Sequence, residues 1–222
     1  MNQKYQNVKS IIQETQIFGP IGIFAQYLNV DEVIIERHEN YQKRSHRNRY
    51  DILTSNGILH LSIPLAKGKN NKMPISEVKI AYDDNWVDVH LQTIRSAYGK
   101  SPYFEFYFDG IESLFRKKYD YIFDLNMDCL KFIFNKIKLS KTISISHSYQ
   151  SSYVNILDCR NKKWVSDQTD SSYSQVWEDK FGFTQNLSIL DLLFCLGPES
   201  ISFLKKVDQK NLIKKYNAYE PY

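Results

Sequence analysis

The residues best equipped for chemistry lie together between His38 and Arg49, in the run HENYQKRSHRNR. Lys43, Arg44, Arg47 and Arg49 stand beside His38, His46, Glu39 and Tyr41, with Asn48 among them. Guanidinium groups can fork onto the oxygens of a pyrophosphate. Imidazoles that titrate near neutral pH can move protons, and a carboxylate such as Glu39 can orient them. Three readings follow. A solvated charged face needs no function. A nucleic-acid surface needs a long basic track with interleaved exposed rings, and one compact cluster falls short of it. A pocket for the phosphates of a nucleotide fits the compact cluster better.

A second candidate is His90. It lies beside the apolar stripe Val87, Leu91, Ile94 and Tyr98 of a helix, at an edge from which a side chain can reach a cleft. A lone helical histidine is more often structural. Gly99-Lys100-Ser101 resembles the end of a phosphate-binding loop, but GxxxxGKS fails at Ile94 and the preceding element is a helix. Lys100 keeps a role near a helix start, where Ser101-Pro102 reads as cap then proline. No metal site is expected, since His38-Glu39 does not open an HExxH. No GxSxG supports a serine hydrolase. Cys195 lies in the apolar run LDLLFCLG and reads as core. Phe18 to Gly22 (FGPIG) departs from GxGxxG, so no dinucleotide cofactor is called for.

The elements that must position these residues alternate strand and helix. Ser10–Gln16, a glycine-bearing turn, a helix through Ile23–Leu28 and a buried strand at Val33–Ile35 outline a βαβ unit. Asn56-Gly57 marks a hairpin with Ile58–Pro64 returning. Further strands are expected at Ile75–Ile80 and Thr142–Ser146, with helices after Asp83-Asp84-Asn85, from Ser101, from Asp120 and from Ser188. Ser188 and Asp191 have capping-box spacing. The expected class is α/β, a mixed sheet with helices packed against it; α+β is the alternative. One domain over residues 1–222 is expected, with a less regular segment at 147–174 and a polar tail from about 205. The net charge of +4 suits an anionic partner without specifying one. Three cysteines without a CxxC pair, no leader in MNQKYQNVKS and no span of about 18 apolar residues predict a cytoplasmic protein.

IFGPIGIFAQYLNVDEVIIE, HENYQKRSHRNRYDI, NGILHLSIPL, NWVDVHLQTIRSAYGKSPYFEFYFDGI and SQVWEDKFGFTQNLSILDLLFCLGPES follow one another in an order that resembles the WbqC-like family. That family is associated with bacterial O-antigen and lipopolysaccharide gene clusters. Its early segment more often reads QPxYFP, where this chain has Gln16-Ile17-Phe18-Gly19-Pro20. The resemblance implies a transferase of surface-polysaccharide biosynthesis, adding an aminoacyl (glycyl) group to the amine of a nucleotide-linked sugar. It implies His90 as the base, assisted by His38 and Glu39. Substrate contacts would come from Tyr41, Lys43, Arg44, Arg47, Asn48, Arg49, Tyr98, Lys100, Ser101 and Tyr103. The acyl donor and oligomeric state stay open. A non-catalytic nucleotide-sugar or glycan-phosphate binder and a nucleic-acid module are the alternatives.

Overall fold

A computed structural model describes residues 8–66, 72–162 and 171–207. The expectations for the extreme N-terminus, for the middle of the lysine-rich loop after Ala66, for part of the 147–174 segment and for the tail beyond Val207 lie outside the described residues.

The first strand, β1 (Ser10–Glu14), has apolar side chains on both faces, as a strand covered on both sides requires. Helix α1 (Ile21–Tyr27) carries the chain back, and β2 (Glu32–Glu36) lies parallel to β1, pairing Ile11 with Val33 and Glu14 with Glu36. The βαβ opening is therefore present. Far later in sequence, β5 (Thr142–Ile145) joins the outer side of β2 and β6 (Ile156–Asp158) the other side of β1, both parallel. The order β5-β2-β1-β6 makes the gap between β1 and β6 the point where the winding reverses. Ligands of open α/β sheets favour the carboxyl ends of strands near such a point.

Strands β3 (Arg49–Thr54) and β4 (Gly57–Ser62) form a separate antiparallel pair. Gly57 opens β4 at φ +100°, and Thr54 Oγ1 accepts the Asn56 N–H while donating to the Gly57 carbonyl. The α/β class holds, and the sheet content is mixed in this sense: a parallel sheet plus a hairpin. Helices α2 (Trp86–Tyr98), α3 (Phe104–Arg116), α4 (Ile122–Lys136) and α6 (Ile189–Leu196) are long or apolar enough to bury one face. The short α5 (Glu178–Phe181) and α7 (Ser200–Lys206) complete the described helices. Residues from both strand groups and from these long helices join one buried apolar cluster.

Local differences from expectation have local causes. Ile75–Ile80 is a 3-10 turn (Ile75–Glu77) with isolated bridges, Leu65 to Ile80 and Lys79 to Tyr121, instead of a strand. Helix α3 starts at Phe104, not at Ser101, because the Ser101 hydroxyl donates to the Tyr98 carbonyl and so closes the end of α2. Ser188 does cap α6, accepting the Leu190 N–H. Asp191 does not reach back to it; it is buried and takes bonds from Tyr98, Tyr173 and Gln175. In the FGPIG turn the left-handed residue is Phe18 (φ +42°) and not a glycine.

Candidate functional site

Strands β1, β2 and β6 each end in a carboxylate: Glu14, Glu36 and Asp158. Parallel pairing brings these ends to one edge of the sheet, and the chain segments leaving them supply the cations. Arg160, two residues past β6, donates to Glu36 Oε2 at 2.9 Å and to both oxygens of Asp158. Its guanidinium lies 4.9 Å from the Tyr149 ring centroid and 5.1 Å from that of Tyr153. Glu36 is fully buried and also accepts from Ser146 Oγ and the His38 N–H. A buried carboxylate needs this number of partners to stay charged.

The His38–Arg49 run is a loop from β2 to β3, and its residues are tied down individually. The Tyr41 N–H reaches the Met73 carbonyl, the Ile75 N–H the Glu39 carbonyl, and the Ile17 N–H the His46 carbonyl. Tyr41 is buried and its hydroxyl donates to Asn48 Oδ1, while Asn48 Nδ2 donates to the Ile63 carbonyl. Arg47 is 1 % exposed and forks onto both oxygens of Glu39, with its remaining reach spent on Asn161 Oδ1. Burial lifts the Glu39 carboxyl to about 7 against the pull of Arg47, and Glu14 and Glu36 nearby add to the rise. Arg47 therefore braces the loop from inside, and its guanidinium is not offered to a ligand.

Lys43 and Arg44 are exposed, Arg44 at φ +58°, and Arg49 is half-buried 3.9 Å from Asp51. His38 is exposed and lines a cleft of about 610 Å³ over the ends of β2 and β5, with Arg37, Ser76, Glu77, Ser146 and His147. Arg37 also lies 5.7 Å from the Phe123 ring centroid.

The other expected site residues lie elsewhere. His90 is 4 % exposed, with its Nδ1 3.0 Å from the Tyr50 hydroxyl and the rings of Trp86, Tyr50 and Phe115 packed edge-on around it. Burial lowers its pKa to about 4, although a bond to the Ser62 backbone raises it, so it is neutral at pH 7. It does not line the cleft at the sheet edge. The expectation of a cleft-facing base at this position is corrected: the ring is buried among Tyr50, Trp86 and Phe115. Tyr98 is fully buried, its hydroxyl donating to Asp191 and accepting the Leu53 N–H, which leaves no face for stacking on a substrate. Lys100 and Ser101 border a different cleft, of about 430 Å³, beside Tyr173, Cys195 and Lys206. Tyr103 packs with Phe106 and against Gly197, where a Cβ would stand 2.5 Å from its ring. The anticipated single pocket thus divides into a sheet edge, an aromatic interior and a second cleft. Cys195 is buried as expected, and burial pushes its thiol well up.

Sequence reasoning missed Glu14, Glu36, Asp158, Arg160, Asn161 and Arg37. A signal existed for the first three: each is a carboxylate closing an apolar strand-like run (SIIQE, EVIIE, ILD). Charges at the carboxyl ends of parallel strands face the ligand-binding edge of such sheets. Among the described residues no group of three or more His, Cys, Asp or Glu is arranged to hold a metal, and no helix is long and apolar enough to cross a membrane.

A Mycobacterium tuberculosis (strain ATCC 25618 / H37Rv) protein described as uncharacterized is 24% identical over 216 residues, covering 83% of this chain and 92% of its own. No solved structure matches significantly. The match to the WbqC-like protein family runs over residues 15–162, from just past Glu14 to just past Asn161, and so spans nearly all of the charged sheet edge. The chain belongs to the WbqC-like protein family.

Proposed function

We propose that this protein is a transferase of surface-polysaccharide assembly that binds a nucleotide-linked amino sugar in the cleft over β2 and β5 and acylates its amine. The observation that carries the reading is the mixed charge of that cleft. Arg37 and His147 can meet a diphosphate, and Glu77, which lines the same cleft, can meet a sugar ammonium. A ligand bearing both charges matches this mixed lining. The reading draws its acyl chemistry from the family resemblance.

In the reaction the amine attacks the carbonyl carbon of an ester- or thioester-linked aminoacyl donor. The C–N bond forms, the C–O or C–S bond breaks, and its electron pair leaves with the oxygen or sulfur. The bound ammonium first releases one proton to solvent, and His38 accepts the second proton, lost as the amine attacks, and returns it to that leaving atom. Arg37 stabilises charge on the oxyanion or the phosphates. Arg47 and Glu39 hold the loop that presents His38. Glu39 turns its carboxylate toward Arg47, and no bond from it to the His38 ring is present among the described residues. That detail favours a second reading, a nucleotide-sugar binding protein without turnover.

Calorimetric titration with a nucleoside-diphosphate amino sugar tests the binding step. Wild type binds saturably, and Arg37→Ala weakens binding at least about tenfold, the loss of one charged hydrogen bond. Failure of the wild type to bind, or equal affinity in the variant, overturns the cleft assignment. Mass spectrometry of the sugar after incubation with a glycyl thioester tests the chemistry. His38→Gln keeps binding but slows amide formation by about 100-fold. Binding without any amide product leaves the second reading standing.

A further inference from the structure

Behind the charged edge, enclosed by β1, α1 and α4, lies a cavity of about 10 Å³, space for one water-sized particle. Its polar lining comes from Glu14, Thr15, Gln16, Tyr27 and Asn126, and two of the amide oxygens there are left without a donor. Asn126 is 1 % exposed, and its Nδ2 donates to the Arg47 carbonyl at 2.7 Å. Gln16 Nε2 donates to Glu14 Oε1 at 2.9 Å. Each amide nitrogen is thereby fixed on an oxygen, so neither amide can be turned round and each carbonyl oxygen must point the other way. Both of these oxygens, Asn126 Oδ1 and Gln16 Oε1, are buried without a hydrogen-bond partner.

Glu14 adds a charge. It is 3 % exposed, accepts from Gln16 and from the Asn161 N–H, and has no lysine or arginine within 4 Å among the described residues. Arg47 feels its field without contacting it. Gly19 completes the cradle, since a Cβ there would stand 2.2 Å from Gln16 Oε1.

One carboxylate with two amide oxygens is a hard, oxygen-only set of charge −1. A water could donate to both orphan oxygens but would leave the carboxylate's charge uncompensated. A divalent ion would leave an excess positive charge on a set that carries one negative charge. We propose that this cavity binds a monovalent cation of potassium or ammonium size, through Glu14, Gln16 Oε1 and Asn126 Oδ1. The ion acts on the sheet edge through Asn126. The amide that offers it an oxygen holds the Arg47 backbone with its nitrogen, so the bound ion stiffens the loop carrying Arg47 and His38.

Thermal unfolding of the full chain in potassium, ammonium or choline chloride, at one fixed ionic strength, tests this. The expected result is a saturable rise in Tm of a few degrees with potassium or ammonium over choline, as binding to the folded state requires. A response to both ions indicates recognition by size and charge; a response to ammonium alone indicates N–H donation to the oxygens. Either supports the site. Glu14→Gln, which keeps the shape and removes the charge, should abolish the difference between salts. Because that variant could fold poorly, the wild type is also titrated with 15N-ammonium by NMR, where saturable line broadening that potassium displaces is expected. Equal Tm in all three salts, absence of such broadening, or an unchanged potassium response in a folded Glu14→Gln protein overturns the proposal in favour of an internal water.

Discussion

Two regions of this molecule carry buried ionisable side chains, and they treat them in opposite ways. At the sheet edge, the carboxyls of Glu36 and Glu39 are buried against the guanidinium groups of Arg160 and Arg47. In the interior between β3, α2 and α3, His90 gives up its charge and sits neutral among Tyr50, Trp86 and Phe115. The difference follows from what each backbone brings in. Parallel strand ends converge on one rim, so opposite charges from distant segments can meet there. A helix packed on a hairpin brings aromatic rings, which can supply one hydroxyl but no compensating ion. His90 is closed off among rings, whereas His38 is exposed at the rim and lines the cleft there.

The largest test of this contrast breaks a pair at the edge. Arg47→Met leaves Glu39 buried without its cation and is expected to lower stability by about 3–5 kcal/mol in urea denaturation. Adding Glu39→Leu should recover most of the loss, since an apolar pair of similar size carries no desolvation penalty. A single variant as stable as wild type would show that the edge does not depend on pairing.

The second test uses pH on the aromatic side. The unfolded chain's His90 takes a proton as pH falls through about 6.5, whereas the folded one resists until about 4. Between those values the unfolded state binds more protons, so stability falls as pH falls. The contribution of His90 is fully present above pH 6.5 and gone below pH 4, a difference of roughly 3 kcal/mol. His90→Gln, which can still meet the Tyr50 hydroxyl, should flatten that part of the pH profile measured by chemical denaturation. An unchanged slope would put the histidine's proton somewhere other than the core.

The smallest effect has the opposite sign. Gln26 on α1 is 1 % exposed, and both ends of its amide lack a partner. It belongs to neither strategy. Gln26→Leu should raise stability by about 1 kcal/mol, read as a higher urea midpoint with an unchanged slope.

Much of this arrangement is legible in the chain. Runs such as SIIQE and EVIIE, broken by turn residues and separated by one amphipathic helix, announce a parallel pair, because only strands buried on both faces carry continuous apolar stretches. Asn56-Gly57 announces the hairpin, and Cys129 and Cys195 read as core from the company they keep. The charge cluster from His38 to Arg49 is equally plain as a feature. The division of labour within it is not. Which arginine turns inward depends on Glu39 and on Asn161, 114 residues from Arg47.

The sequence by itself determined the α/β class, the βαβ opening and the hairpin, because each rests on periodicity or turn chemistry within about a dozen neighbouring residues. Only the tertiary structure decided which charges are structural and which are free. The partners that settle that question, Glu14, Glu36, Arg160 and Asn126, reach the same rim from four separate segments. Burial and pairing are properties of that meeting, and no local pattern encodes them.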